Sequence, residues 1–165
     1  LVLANGASGV TPKSGILQAA LDEVCQSLAR QIARDGEGAQ KFVEIEVKGA
    51  VTDGAATRIA RAIANSPLVK TAIAGSDANW GRILCAAGYS GAQFDPTQVD
   101  IFLQGVKVCR RGLAAPFDEP ALKQKLDGKD CSIRFLIAGE GQGESKFWTC
   151  DLTHGYIDIN ASYRT

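Results

Sequence analysis

The stretch RDGEGAQKFVEIEV, residues 34–47, decides how this chain is built. Its second half alternates, with Val43, Ile45 and Val47 on one side and Glu44 and Glu46 on the other. A period of two is that of a half-buried strand with one wet face. Upstream, Leu17, Leu21, Val24, Leu28 and Ile32 recur at helical spacing and form one apolar stripe. The spacing predicts a helix over Pro12–Arg34. Pro12 suits its first turn, and Gly36 the position just past its end. A helix therefore runs into a strand through Gly36-Glu37-Gly38, and both kinds of element belong to one unit.

The same reasoning extends along the chain. Leu1–Ala4 read as the end of a buried strand, followed by the glycine-rich turn NGASG. TDGAATRIARAIANSP (52–67) predicts a helix started by Thr52 or Asp53 and stopped by Pro67. Its alanines Ala56, Ala60 and Ala64 suit close packing on a sheet. LVKTAIAG (68–75) reads as a third strand. SDANWGRILCAAGYSG (76–91) reads as a helix capped by Ser76 or Asp77 and ending near Gly88. TQVDIFLQGVKVCRRG (97–112) predicts two strands around a turn at Gly105, and DEPALKQKLDGKD (118–130) a short surface helix. CSIRFLIAGEGQGESKFWTCDLT (131–153) carries a hairpin signal, two apolar strands joined by a glycine-rich loop. HGYIDINASYRT (154–165) reads as a short strand and a tail. With no repeat and no linker, the fold class is α+β, helices on a mainly antiparallel or mixed sheet, taken as one domain over 1–165.

Charge balances, 18 basic against 18 acidic residues, which argues against nucleic acid or an anionic membrane as the main partner. The densest basic run, KVCRR (107–111), reads as a solvated strand edge. Five cysteines (Cys25, Cys85, Cys109, Cys131, Cys150) stand at wide spacings with one histidine, His154, so neither a zinc pattern nor a disulfide framework is present. Set among apolar neighbours, they read as small core residues in a reducing compartment. No window has the length of a membrane span. The chain opens inside an apolar run and contains no methionine, so an N-terminal part is expected to have been cleaved or to be missing.

Few stretches can carry chemistry. Glu37 lies just beyond a helix C-terminus, where the macrodipole disfavours an anion by about 0.3–1 kcal/mol. Asp35 adds repulsion, and two flanking glycines cost backbone entropy. Two readings stay open: a solvated loop carboxylate, or an anion kept for a cationic ligand such as an ammonium group. DANWGRI suits packing at a helix start. AGEGQGES lacks the Gly-Lys-Ser/Thr ending of a phosphate loop, and NGASG lacks the dinucleotide glycine spacing. His154 has no fixed serine or cysteine partner. The residues alone describe an α+β domain with a candidate small-ligand contact at Glu37.

Five stretches taken together, LVLANGASG, RDGEGAQKFVEIEVKGA, ANSPLVKTAIAGSDANWGRILCAAGYSG, FDPTQVDIFLQG and CDLTHGYIDINASYRT, resemble in this order the β chain of the ornithine acetyltransferase (glutamate N-acetyltransferase) family of arginine biosynthesis. The resemblance covers essentially the whole chain. It implies a precursor that cuts itself before a threonine, whose freed N-terminus makes that threonine the nucleophile. That threonine takes the acetyl group of N-acetylornithine and passes it to glutamate. It is expected upstream of Leu1, so no catalytic residue is expected in this chain, and the chain alone is expected to be inactive and poorly stable. The resemblance assigns substrate binding to Glu37, which would hold a charged amine, and to Asn160 and Thr165, which would help hold the amino-acid carboxylate. It implies an α chain from the same precursor, a heterotetramer of two α and two β, and no metal or prosthetic group. Some members accept acetyl-CoA as donor. The compartment implied is the cytoplasm, or a mitochondrion or plastid in a eukaryote. Gln40 stands where the family commonly has Thr, and Ser76-Asp77-Ala78 where it commonly has Glu-Asp-Pro.

Two other classes fit the bare residues: a non-catalytic amino-acid-binding module, and an N-terminal-nucleophile hydrolase of the same fold. Ornithine release with and without glutamate separates transfer from hydrolysis.

Overall fold

The computed structural model describes residues 5–139 and 141–162. Leu1–Ala4, expected as a strand end, and the candidate site residue Thr165 lie outside the described residues. A six-stranded mixed sheet organises the chain. Its strands are β1 (Phe42–Ala50), β2 (Val99–Leu103), β3 (Val106–Arg110), β4 (Leu113–Ala114), β5 (Asp130–Ile137) and β6 (Gly143–Cys150), in the order β4-β3-β2-β5-β1-β6. Only β1 and β5 run parallel; every other neighbouring pair is antiparallel. The helices are α1 (Ser14–Arg34), α2 (Asp53–Asn65), α3 (Pro67–Ala74), α4 (Trp80–Gly88), α5 (Glu119–Leu126) and α6 (His154–Ser162). The α+β class and the mixed sheet agree with the expectation from sequence.

The alternation in β1 does what its period requires. Val43, Ile45 and Val47 are fully buried and meet Ile59 and Ile63 of α2 in the core, while Glu44 and Glu46 face outward. Thr52 caps α2, its hydroxyl accepting the Ala55 N–H at 3.1 Å. Ala56, Ala60 and Ala64 are fully buried and let the α2 backbone approach the sheet closely. The turn between β2 and β3 has Gln104 and Gly105 both at positive φ (49° and 77°), the geometry that matches the twist of a two-residue hairpin.

Five expectations are corrected. The stretch 68–75 is helical up to Ala74: Ser66 caps α3 and accepts the Val69 N–H, Pro67 opens its first turn, and Val69, Ala72 and Ile73 share its buried face. The run is apolar enough for a strand, but its capping chemistry decides for helix. The predicted hairpin does not exist as a pair, because β1 lies between β5 and β6. The connecting loop instead crosses the end of β1. There a Cβ on Gly143 would stand 2.2 Å from the Thr52 carbonyl carbon, so that glycine is required by close backbone approach. The C-terminal segment is the helix α6 rather than a strand, and α4 is capped by Asn79 rather than Ser76 or Asp77. Of the cysteines, Cys109 and Cys131 are buried as expected, Cys150 is half-buried, and Cys25 and Cys85 are exposed.

The apolar stripe of α1 is real but uncovered. None of its 21 residues is buried, and Leu17, Val24, Leu28 and Ile32 are 46%, 55%, 53% and 75% exposed. The helix is tethered to the outer face of β1 and β6 by its basic residues. Arg34 pairs with Asp130 at 2.6 Å and lies over the Phe42 ring, and Arg30 lies over Trp148. The helix α6 has no buried residue either. Among the described residues no helix is long and apolar enough to cross a membrane.

Candidate functional site

Glu37 stands in the loop between α1 and β1, exposed, one residue before Gly38 at φ +69°. Its carboxylate has one hydrogen-bond partner among the described residues: Asn160 of α6 donates Nδ2–H to Glu37 Oε2 at 2.8 Å. Among the described residues no cation pairs with it. The same Asn160 amide donates to the Tyr156 carbonyl at 2.9 Å. A primary amide has two N–H groups, and both are engaged. What Asn160 offers a ligand in this arrangement is its Oδ1, an acceptor beside a carboxylate. With its N–H groups engaged, Asn160 has only an acceptor left, and acceptors suit an ammonium group better than a carboxylate.

The glycines on either side of Glu37 are explained by what passes beneath them. A Cβ on Gly36 would stand 2.7 Å from the Cys150 sulfur. A Cβ on Gly38 would stand 2.4 Å from the Tyr156 nitrogen and 2.5 Å from the Gly155 carbonyl carbon. The loop lies directly on the connection from β6 into α6, and no side chain fits between. That connection grips the loop with polar groups. Thr153 donates its hydroxyl to the Gly38 carbonyl at 2.6 Å, and Asp151 Oδ1 accepts from the backbone N–H groups of Gln40 and Lys41 at 2.9 and 3.0 Å. Asp151 is 3% exposed, and its Oδ2 is buried with no hydrogen-bond partner among the described residues.

Lys41 anchors the far end of the loop. It is 8% exposed, and its ammonium donates to the Ile73 carbonyl at 2.9 Å and to the Ser76 hydroxyl at 2.7 Å. A cation at the C-terminus of α3 answers the negative end of that helix's dipole. Ser76, held at φ 54°, passes its own proton toward Asp127. The hydrogen bond from Ser76, and after it that from Lys123, holds the Asp127 carboxyl below its ordinary value. Burial pushes the nearby Cys131 thiol up, which makes it a poor nucleophile.

A cavity of about 530 Å³ opens beside this junction, lined on one side by Thr71, Ala74 and Gly75 of the α3 end and on the other by Thr153, His154 and Ile157. Gln40 also lines it, but Glu37 does not. His154 is exposed at the first turn of α6.

The sequence pattern of the ArgJ family matches residues 1–165. The chain belongs to the ArgJ family. It is 49% identical over 150 residues to the arginine biosynthesis bifunctional protein ArgJ of Zymomonas mobilis, covering 90% of this chain and 36% of that protein. It is 48% identical to the protein of the same name from Symbiobacterium thermophilum, covering all of this chain and 42% of that one. The crystal structure of the arginine biosynthesis bifunctional protein ArgJ from Bacillus halodurans superposes with a TM-score of 0.92 at 40% identity, covering 99% of this chain and 79% of that chain. The chain thus spans well under half the length of these curated ArgJ relatives.

Of the three site residues expected from sequence, Glu37 and Asn160 are brought together, and Thr165 lies outside the described residues. Three contributors escaped the sequence: Thr153, Asp151 and Lys41. CDLT places two short polar side chains, Asp151 and Thr153, immediately before a helix start, a pattern that also suits capping. Lys41 opens the alternating strand, and nothing in the alternation reveals that its ammonium is enclosed. Among the described residues no group of three His, Cys, Asp or Glu side chains comes together as a metal site.

Proposed function

We propose that this chain is the substrate-binding part of an acetyltransferase that moves the acetyl group of N-acetylornithine to glutamate, with Glu37 receiving a substrate ammonium. The observation that carries this reading is the Asn160–Glu37 contact at 2.8 Å. The two residues assigned to substrate lie on different elements and are brought into contact, with Glu37 exposed. A charge-assisted hydrogen bond to such a pair is about twice as strong as a neutral one. Membership of a family whose relatives are named for arginine biosynthesis supports the substrate class.

The chemistry is that of acyl transfer through a threonyl ester. The threonine hydroxyl attacks the acetyl carbonyl, the carbon–nitrogen bond breaks, and the proton goes to the departing amine of ornithine. The amine of glutamate then attacks the ester and restores the hydroxyl. The nucleophile and the donors that stabilise the oxyanion belong to another stretch of the polypeptide. This chain binds and orients. We place the chain with an α chain in a heterotetramer, and the uncovered apolar faces of α1 and α6 support a further polypeptide lying against them. The reaction needs no metal or prosthetic group, acetyl-CoA is a second candidate donor, and the compartment is the cytoplasm, or an organelle in a eukaryote. The chain alone is inactive on this reading.

The test is an assay of the family-length protein with N-acetylornithine. Ornithine release that requires glutamate and yields N-acetylglutamate supports transfer. Release at the same rate without glutamate makes the protein a hydrolase.

A further inference from the structure

We propose that the Thr153 hydroxyl is a positioning group for the Glu37–Asn160 pair, setting the spacing between the loop that carries one and the helix that carries the other. The inference rests on the substrate-binding reading above. Thr153 Oγ1 donates to the Gly38 carbonyl at 2.6 Å, the residue directly after Glu37. The same oxygen accepts the Gly155 N–H at 3.1 Å, in the first turn of α6. One hydroxyl therefore joins the backbone of the loop to the start of the helix. A hydroxyl can do this because it is donor and acceptor at once.

The packing around it leaves little else to set that spacing. Gly155 comes so near that a Cβ there would stand 3.3 Å from the Gly38 Cα, and Gly38 is closed in by the Gly155 and Tyr156 backbone. Two glycine backbones in contact have no side chains to interlock and slide readily against each other. The Thr153 hydroxyl is the directional contact at that point. Asp151 holds two further N–H groups of the loop, at Gln40 and Lys41, but on the far side of Gly38 from Glu37. Asn160 is carried by α6 and reaches Glu37 through a single hydrogen bond. A small shift of α6 along the loop would break that bond and separate the two side chains. Thr153 touches no substrate on this account; it acts through Glu37 and Asn160.

The experiment compares Thr153→Ala, Thr153→Ser and Glu37→Gln in the family-length protein, measuring kcat and KM for N-acetylornithine together with Tm. Thr153→Ala removes the hydroxyl at a half-buried position without adding bulk, and Thr153→Ser keeps it. The proposal expects Thr153→Ala to raise KM about tenfold with kcat little changed, the size of one lost hydrogen bond's worth of alignment. It expects Thr153→Ser to stay within about twofold of the parent. It expects the double variant Thr153→Ala/Glu37→Gln to raise KM by clearly less than the product of the two single effects, because both act on one contact. If Glu37→Gln raises KM but Thr153→Ala leaves it unchanged, or if Thr153→Ser fails as badly as Thr153→Ala, the positioning role is overturned. A fall in Tm and kcat with KM unmoved overturns it as well, since that is what a purely structural hydroxyl gives. If Glu37→Gln itself leaves KM unchanged, the substrate-binding reading beneath the proposal is what has failed.

Discussion

Asn160 hydrogen-bonds Glu37 at 2.8 Å across 123 positions of sequence. The contact joins the first loop after α1 to the last described helix, and it is available only because Gly36 and Gly38 let the loop lie flat on the β6–α6 connection.

Gly38→Ala is therefore expected to damage the site more than its chemistry suggests. The residue sits at φ +69°, and its new methyl would meet the Tyr156 nitrogen and the Gly155 carbonyl at under 3 Å. Helix α6 must move away. In the family-length protein the variant is expected to raise KM for N-acetylornithine about tenfold or more and to speed hydrogen exchange in α6. Unchanged exchange in α6 would contradict the contact.

Lys41→Met keeps most of the unbranched side chain and removes its charge. The carbonyls of Ile73 and Ala74 and the Ser76 hydroxyl lose an enclosed donor. The expected loss is about 1.5–3 kcal/mol in denaturant unfolding, the range for hydrogen bonds to a charged group. A loss under about 0.5 kcal/mol would mean that the ammonium contributes nothing where it lies.

Acid stability should follow Glu46 and Asp100. Burial alone would raise the Glu46 carboxyl, but the hydrogen bond from Arg134 and the charge of Lys48 outweigh it and leave it below its ordinary value. For Asp100 the burial effect is likewise outweighed, by Lys107 and the Arg111 backbone N–H. A carboxyl lowered in the folded state gives stability that is full above the unfolded value, near about pH 4, and lost as pH falls through the folded one. Unfolding midpoints should thus hold down to about pH 5 and fall below about pH 4. Glu46→Gln and Asp100→Asn should each flatten that acid limb and lower stability at pH 7.

Thiol labelling separates the cysteines. In the chain alone, Cys25 and Cys85 should react at neutral pH while Cys109 and Cys131, buried and with thiols pushed up by burial, should react only on unfolding. Cys25 lies on α1 beside the stripe of Leu21, Val24 and Leu28. In the family-length protein it should become protected if further polypeptide covers that stripe. Equal labelling in both would leave α1 uncovered.

Much of this was legible in the sequence, for local reasons. The alternation from Val43 to Val47 and the cap at Thr52 are signals that a few residues carry entirely. What failed was decided at longer range or by competing cues. Residues 68–75 are apolar without a clear period, and Ser66-Pro67 tipped them into a helix. β5 and β6 read as a hairpin because they are adjacent in sequence, but β1 inserts between them through pairings that no local pattern encodes. Electrostatics at a helix end brought Glu37 under suspicion, and the family resemblance added Asn160. Thr153 was not legible, because its role comes from the close approach of two glycine backbones.

The account turns on Glu37 as an anion that holds a substrate ammonium. The most direct test is KM for N-acetylornithine in the Glu37→Gln variant of the family-length protein. Gln keeps an oxygen for Asn160 and removes only the charge. The account predicts a KM raised about 30-fold or more with Tm within a few degrees of the parent. An unchanged KM in a folded, acetyl-transferring variant would contradict it.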